Sequence, residues 1–388
     1  MLGSKDEYLT RTSSPRVIDE TLWSNDFDVD LSFASAADTV LTGYRPARLV
    51  SYNIHGWRDT RHNDNFDRLV AVLKKISPDV IALQEVLHPY RPPSDPEEAK
   101  DYFDLVKSGK GNGFVAKSTD NKLPYLEALA KALHLPFISF GQATDDGYFG
   151  KFGYGNAILS KFPIVDETHV VVKPHPRHQA GRRIEAEDRC FSAVKVELEQ
   201  DMFCTFCVTH LDQLSEELRV EQVAEMMSSM KDIGPHILCG DFNAFQRSDC
   251  SEEQWNKILD DAKSKGWTPP PETTQAVSDM QTRGYVDCFY QSMNHVEEIF
   301  DPEKAVEGMT KDTKFPGPTC WVEKPLLRID YVWLSKGLQS TKVQQYQRVM
   351  DDASDHYPVF VDLVICSDKE STDTSSCQSD SASSLDSA

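Results

Sequence analysis

The sequence predicts an α/β fold in which helices pack outside β-sheets. About ten runs are rich in β-branched and aromatic residues, and several of them alternate in polarity. Fewer runs show helical periodicity, and these are interleaved with the β-type runs. No tandem repeat and no internal linker rich in Pro, Gly and Ser divides the middle of the chain. We therefore expect one domain over residues 45–366.

The β-type runs define the expected strands. In chain order they are ARLVSYNI, DVIALQEV, PFISFG, NAILSKFPI, THVVVK, CFSAVKVEL, MFCTFCVTHL, HILCGDF, RIDYVWLS and YPVFVDLVI. The CxxC formed by Cys204 and Cys207 lies inside one of them, which indicates buried strand cysteines rather than a metal site.

Three other runs have helical periodicity. The first is NFDRLVAVLKKI, whose apolar stripe consists of Leu69, Val72, Leu73 and Ile76. The second is YLEALAKAL, and the third is SEELRVEQVAEMMSSM, for which Ser215 is the expected N-cap.

Composition places the chain among globular proteins. Of its 388 residues 39% are hydrophobic and 27% are charged, which excludes a fully disordered, collagenous or coiled-coil chain. No uninterrupted apolar run approaches the roughly 20 residues that cross a bilayer, and the charged N-terminus lacks the apolar region of a secretory signal. The nine cysteines are scattered, which favours a reducing compartment. We expect a monomer without an integral membrane segment, located in the cytoplasm or the nucleus.

Both ends of the chain differ from its middle. Residues 1–44 are expected to form an N-terminal extension that is partly disordered. Residues 367–388 are acidic and Ser-rich and cannot bury enough apolar surface to offset their ordering entropy, so a disordered tail is expected.

The formal net charge of −21 disfavours whole-surface attraction to nucleic acid. A polyanionic substrate would therefore need bound cations or a local positive site. The segment 173–189 is such a candidate, although it could also be a solvated loop whose charges are balanced by its own acids. Its basic and imidazole residues are Lys173, His175, Arg177, His178, Arg182, Arg183 and Arg189.

Polar side chains recur where the expected strands begin or end. These are Asn53, Glu85, His210, Asp241, Asn243, Asp330, Asp355 and His356. Strand ends in α/β folds face the crevice where sites are built, so we expect these groups to converge. Mg²⁺ prefers carboxylate and carbonyl oxygens, and Glu85 with Asn53 and Asp355 fits that requirement.

Two further patterns have a chemical interpretation and a structural alternative. Asp241 and Asn243 could orient a water molecule and take its proton, although GDFN alone is equally well explained as an Asx-turn after a strand. Asp330 is a candidate partner for the imidazole of His356, which as an imidazolium would stabilise an oxyanion. The motifs GxSxG, GxxxxGK[ST], GxGxxG after a strand and HExxH are absent from the sequence, which disfavours the common nucleophile and nucleotide sites.

Seven segments in order resemble the endonuclease/exonuclease/phosphatase superfamily, the DNase I-like phosphoesterases. They are SYNIHG, IALQEV, NAILSKFPI, VTHLD, GDFNA, RIDYVWLS and SDHYPV. The resemblance implies a four-layer α/β sandwich, in which two packed mixed β-sheets are flanked by helices. His55 stands where some members have an aspartate, and the Trp and WCDRIL pattern of inositol phosphatases is absent.

The resemblance also implies roles for the site residues. Asn53 and Glu85 would bind the metal, with Asp355 beside it. His210 would contact phosphate, Asp241 and Asn243 would act on the attacking water, and Asp330 would pair with His356. Arg189 and Asn53 would contact the substrate.

The sequence thus predicts an Mg²⁺-dependent phosphoester hydrolase, with Mn²⁺ as an alternative cofactor. A phosphodiester is the expected substrate, within a nucleic acid, a nucleotide or a phosphorylated headgroup. The alternatives are a phospholipid or sugar-phosphate phosphoesterase, and a non-catalytic scaffold that only binds a partner.

Overall fold

The computed structural model describes residues 16–17, 44–89, 124–143, 152–175, 186–293, 314–338 and 341–366. The segments of the expected N-terminal extension at 1–15 and 18–43, the basic residues at 177–183 and the expected tail at 367–388 lie outside these residues.

The described strands, numbered in chain order, form two sheets. They are β1 (Arg16–Val17), β2 (Tyr44–Asn53), β3 (Val80–Pro89), β4 (Phe137–Gln142), β5 (Phe152–Ser160), β6 (Ile164–Val172), β7 (Arg189–Glu199), β8 (Met202–His210), β9 (His236–Asp241), β10 (Val286–Asp287), β11 (Asp330–Leu334), β12 (Lys342–Arg348) and β13 (Val359–Cys366). The first sheet has the order β1-β4-β5-β3-β2-β13-β12, and the second has the order β10-β11-β9-β8-β7-β6. Both sheets are mixed, because β2 pairs parallel with β3 and β8 pairs parallel with β9.

Helices flank the two sheets. They are α1 (Phe66–Ile76), α2 (Tyr125–Leu133), α3 (Glu216–Ser229), α4 (Glu252–Ser264), α5 (Gln275–Thr282) and α6 (Cys288–Met293). One core cluster joins α1 and α2 to the first sheet, and another joins α3 and α5 to the second. A third cluster lies between the sheets and includes Leu49, Val194, Phe206 and Val361. The four-layer sandwich is therefore confirmed.

Apolar periodicity explains why the predicted helices form where they do. The stripe of Leu69, Val72, Leu73 and Ile76 is buried against the first sheet, as predicted. The hydroxyl of Ser215 accepts a hydrogen bond from the backbone N–H of Leu218 and so caps α3.

One predicted strand is wrong. The run NAILSKFPI contains the end of β5 at Ser160 and the start of β6 at Ile164, and these two strands belong to different sheets. The run looks continuous because Ile158 and Ile164 both enter the core between the sheets. Pro163 has no N–H to donate to a ladder, which is consistent with a break there. The run THVVVK continues β6 rather than forming a strand of its own.

The cysteine and membrane expectations can be compared with the described residues. Cys204 and Cys207 are buried on β8 as thiols, as predicted for strand cysteines. None of the described helices combines the length and the apolar character needed to cross a bilayer.

Candidate active site

Polar ends of both sheets meet at one edge of the sandwich. Asn53 ends β2, and His210 ends β8 beside Asp241 at the end of β9. Asp330 begins β11 and pairs directly with Asp241 in the antiparallel register. A cleft of about 710 Å³ lies at this edge, and its lining includes Glu85, Tyr154, His210, Asp241, Asn243, Asp355 and His356.

Asn53 connects two carboxylates from different sheets. Its Nδ2 donates to Oε1 of Glu85 at 3.0 Å and to Oδ2 of Asp241 at 3.1 Å. Its Oδ1 accepts from the backbone N–H of His55, and the hydroxyl of Ser354 donates to its backbone carbonyl. Because Asn53 is completely buried, this bridge fixes Glu85 and Asp241 relative to each other.

A bulge in β3 directs Glu85 into the cleft. The register between β3 and β5 shifts between Leu83 and Val86, and Glu85 has a left-handed φ of 57°. An extra residue in one strand interrupts the alternation of side chains and re-aims the bulged one. Burial and the charge of Asp355 raise the pKa of Glu85, whereas the hydrogen bond from Asn53 lowers it.

Asp241 and Asn243 form a turn whose geometry requires a glycine. A Cβ on Gly240, which has a φ of 144°, would lie 1.9 Å from the backbone oxygen of Thr209. In the residues that follow Gly240, Oδ1 of Asp241 accepts a hydrogen bond from the backbone N–H of Asn243 at 2.9 Å. The Asx-turn that the sequence allowed is therefore present. Burial raises the pKa of Asp241 to about 7, against a lowering effect of His356.

His356 is held between two carboxylates. Its Nδ1 lies 2.9 Å from Oδ2 of Asp330, and its Nε2 lies 3.6 Å from Oδ2 of Asp241. The backbone N–H of Asp330 donates to the hydroxyl of Thr319. Burial lowers the pKa of the His356 imidazole, but Asp330 and Asp241 outweigh it and raise this pKa well above 6.5. His356 is therefore an imidazolium at neutral pH.

His210 has the opposite charge state. Burial, together with the charges of Arg189 and His356, lowers its pKa well below 6.5, so its ring is neutral. Its Nε2 lies 3.5 Å from Oδ2 of Asp241 and 3.2 Å from Nδ2 of Asn243. Two histidines in one cleft thus have different protonation states because their neighbours differ.

Arg189 lies behind His210, and it is not among the residues that line the cleft. It is 3% exposed, and its guanidinium faces Nδ1 of His210, the carboxylate of Glu187 and the phenol of Tyr154. It also donates to the side chain of Gln213. The contact with phosphate that the resemblance implies for Arg189 stays a prediction.

Glu85 and Asp355 fit a divalent cation. Both face the cleft, and the charge of Asp355 disfavours the ionised form of Glu85, a repulsion that a bound cation would relieve. Asp241, Asp330 and His356 also have ligand atoms within 4.8 Å of one another. His356, however, is an imidazolium paired with Asp330, and a protonated ring has no lone pair for a metal. The chemistry of the donors therefore favours Glu85 and Asp355.

The structure brings together every residue that the sequence placed at the strand ends. Reasoning from the sequence missed four neighbours that support them, namely Tyr154, Gln213, Thr319 and Ser354. Ser354 directly precedes Asp355, so its position was a usable signal. Tyr154 lies in β5, where nothing local distinguishes it from a core aromatic residue. Of the basic segment, Lys173, His175 and Arg189 are described; Lys173 and His175 are exposed, whereas Arg189 is buried.

Comparison with known proteins identifies the family. The profile described as Endonuclease/Exonuclease/phosphatase family matches residues 50–356. The chain belongs to this family. Members of the family are hydrolases that act on phosphoester bonds, and they generally depend on a divalent metal. A comparison with curated proteins finds no match.

Solved structures are similar to this chain at low sequence identity. An endonuclease/exonuclease/phosphatase from Beutenbergia cavernae is 21% identical, with a TM-score of 0.51, and the match covers 83% of this chain and 72% of that one. A mannosyl-6-phosphatase from Bacteroides thetaiotaomicron is 17% identical, with a TM-score of 0.47 and coverage of 82% and 100%. The human Nocturnin catalytic domain with a bound sulfate is 15% identical, with a TM-score of 0.45 and coverage of 82% and 93%. At these identities the likeness concerns the fold alone.

Proposed function

We propose that this protein is an Mg²⁺-dependent phosphoesterase that hydrolyses a phosphodiester through in-line attack of water. The observation that carries the proposal is a continuous polar chain across the cleft. It runs from Asp330 through His356, Asp241 and Asn53 to Glu85. A scaffold that only bound a partner would not need an imidazolium and a carboxylate of raised pKa in contact at the base of a cleft.

Oδ2 of Asp241 is the proton acceptor in this proposal. Three side chains converge on this oxygen, those of Asn53, His210 and His356. A carboxylate with a pKa of about 7 is half ionised at neutral pH and can take a proton from water efficiently. The backbone N–H of Asn243 donates to the other carboxylate oxygen, Oδ1, and in this proposal the side chain of Asn243 orients the water.

His356 supplies positive charge where negative charge develops. Its imidazolium is held by Asp330, so its ring does not reorient as the phosphoryl oxygens gain charge. The neutral His210 offers a hydrogen bond to a phosphoryl oxygen without adding a second full charge. A divalent cation held by Glu85, Asp355 and the carbonyl of Asn53 would neutralise the phosphate and stabilise the transition state.

We also propose that residues 45–366 form one domain that acts as a monomer inside the cell. The eight described cysteines are thiols rather than disulfides, which supports a reducing compartment.

The test is hydrolysis of bis(p-nitrophenyl) phosphate with Mg²⁺, with Mn²⁺ and with EDTA. We expect turnover only with metal, and at least a 10³-fold lower kcat for Asp241→Asn. The matched control is Asp362→Asn, because Asp362 pairs with Arg48 outside the cleft. Turnover that is unaffected by EDTA, or full activity of Asp241→Asn, would refute the proposal.

A further inference from the structure

Two exposed tryptophans extend from the mouth of the cleft. Trp321 lines the cleft and is 48% exposed, and Trp267 is 60% exposed. Nζ of Lys265 lies 4.6 Å from the ring centroid of Trp267 and 5.9 Å from that of Trp321. These three side chains, here called the tryptophan strip, form one continuous surface that starts at the catalytic groups.

The backbone holds Trp321 firmly against the catalytic segment. Its neighbour Cys320 forms a β-bridge with His356, and the backbone N–H of Val322 donates to the carbonyl of Asp355 at 3.1 Å. Trp321 itself has a φ of 55°, which is unusual for a bulky residue. Such strain persists only where the surrounding structure enforces it, and it concentrates at functional sites.

The chemistry of the strip matches that of nucleobases. Tryptophan side chains are usually largely buried, because burial of their apolar surface stabilises the fold. Two neighbouring exposed indoles forgo this stabilisation and present flat apolar faces to solvent. Every nucleobase has a π-face that stacks on such a ring, and a lysine between two stacked bases lies near their phosphate. Stacking does not depend on the net charge of the protein, so it is compatible with the net charge of −21.

We propose that the tryptophan strip binds single-stranded nucleic acid, with one base stacked on Trp321 beside the scissile phosphate and a second base on Trp267. This inference rests on the proposed function, because it names the substrate class of that same cleft.

The charges on the strip favour nucleic acid over a lipid surface. Lys265 and Lys324 both pair with Asp261, at 2.8 Å and 2.7 Å. Membrane docking beside tryptophans relies on basic clusters that attract anionic lipids. Here Asp261 offsets one of the two ammonium charges, which leaves a single positive charge for a phosphodiester in a strongly acidic protein.

The test is binding of a single-stranded tetranucleotide, labelled at one end and measured by fluorescence anisotropy in EDTA, where the proposed hydrolysis is absent. We expect Trp321→Ala and Trp267→Ala each to weaken binding about 5- to 150-fold, with most of the loss recovered in Trp321→Phe. Phe203→Ala is the matched control. Phe203 is also exposed, at 43%, and lies under Lys195, but it is near the start of β8, at the opposite end from His210.

Failure of this inference can be distinguished from failure of the proposed function. Turnover of bis(p-nitrophenyl) phosphate, which has no nucleobase, tests the hydrolysis, whereas binding in EDTA tests the strip. Equal tetranucleotide affinity of wild type, Phe203→Ala and both alanine variants would overturn the inference. A second result would also overturn it. In that result the wild type binds phosphatidylserine vesicles but no tetranucleotide, and both tryptophan-to-alanine variants lose the binding to vesicles.

Discussion

Replacing Asp330 by asparagine tests whether a buried ion pair sets the charge of His356. The substitution keeps the shape of the side chain and removes the negative charge 2.9 Å from Nδ1 of the ring. In the wild type this charge is the largest influence that opposes the effect of burial on the pKa of His356. Without this charge, Asp241 and Asp355 remain to oppose the effect of burial, and the pKa of the His356 ring falls.

The effect on stability follows from the sign of the pKa change. The folded-state pKa of His356 is raised above 6.5, so the pair stabilises the fold fully below that pH, and the stabilisation is lost only as pH rises through the raised pKa. Removing one partner of a buried ion pair costs about 3 to 5 kcal/mol. Because Asp330 also raises the pKa of Asp241 by repulsion, its removal offsets part of this cost. We expect Asp330→Asn to lose about 2 to 3 kcal/mol at pH 6.

The effect on catalysis should depend on pH. If the imidazolium stabilises the transition state, kcat of Asp330→Asn should fall about 10²- to 10³-fold at pH 8 and less at lower pH, which moves the optimum toward acid. The assays are pH–rate profiles and NMR titration of the His356 ring in metal-free protein. Asp362→Asn is the control, since Asp362 forms an ion pair outside the cleft. The reasoning would be refuted if Asp330→Asn had the same pH–rate profile as the wild type and its His356 ring titrated at the same pH.

Three further predictions concern single residues of the same edge. The raised pKa of Asp241 means that its ionisation opposes folding as pH rises toward about 7. In urea denaturation at pH 8, the free energy of unfolding of metal-free Asp241→Asn should therefore exceed that of the wild type by about 2 kcal/mol. Glu85→Gln should weaken Mn²⁺ binding at least about 10-fold by calorimetry, whereas Glu187→Gln, whose carboxylate faces a guanidinium instead, should not. Gly240→Ala should lose about 2 to 4 kcal/mol of stability in urea, because its Cβ would meet backbone. Gly234→Ala, also at positive φ but with open space around it, should lose less than half as much.

Periodicity predicted the elements whose buried face is a simple stripe. The four apolar residues of α1 are an example, and the strand ends could be located because each polar residue follows a buried run. The run containing Ser160 and Ile164 misled the prediction because strands of two sheets share one core. Helix α4 was not predicted, since its buried face consists only of Trp255, Ile258 and Ala262.

The charge states in the cleft could not be read from the sequence. His210 and His356 each lie at a strand end next to aspartates, yet one is neutral and the other is charged. The difference arises from Arg189 and Asp330, whose contacts with the two rings span 21 and 26 residues of the chain. Local sequence carries no information about which of two distant partners faces a given ring.

Residues with a left-handed backbone conformation are concentrated at the cleft. Among the described residues other than glycine, nine have positive φ, and five of these line the cleft, namely His55, His62, Glu85, Asn243 and Trp321. Ser77 and His134 terminate helices α1 and α2, and Asp201 lies in the tight turn between β7 and β8, so their conformations have ordinary structural causes. Those of the cleft include a β-bulge at Glu85 and an Asx-turn at Asn243, and a positive φ at such residues costs about 1 kcal/mol or more. These five residues supply a carboxylate, an amide, two imidazoles and an indole to the lining of one cleft, and strain of this kind concentrates at functional sites.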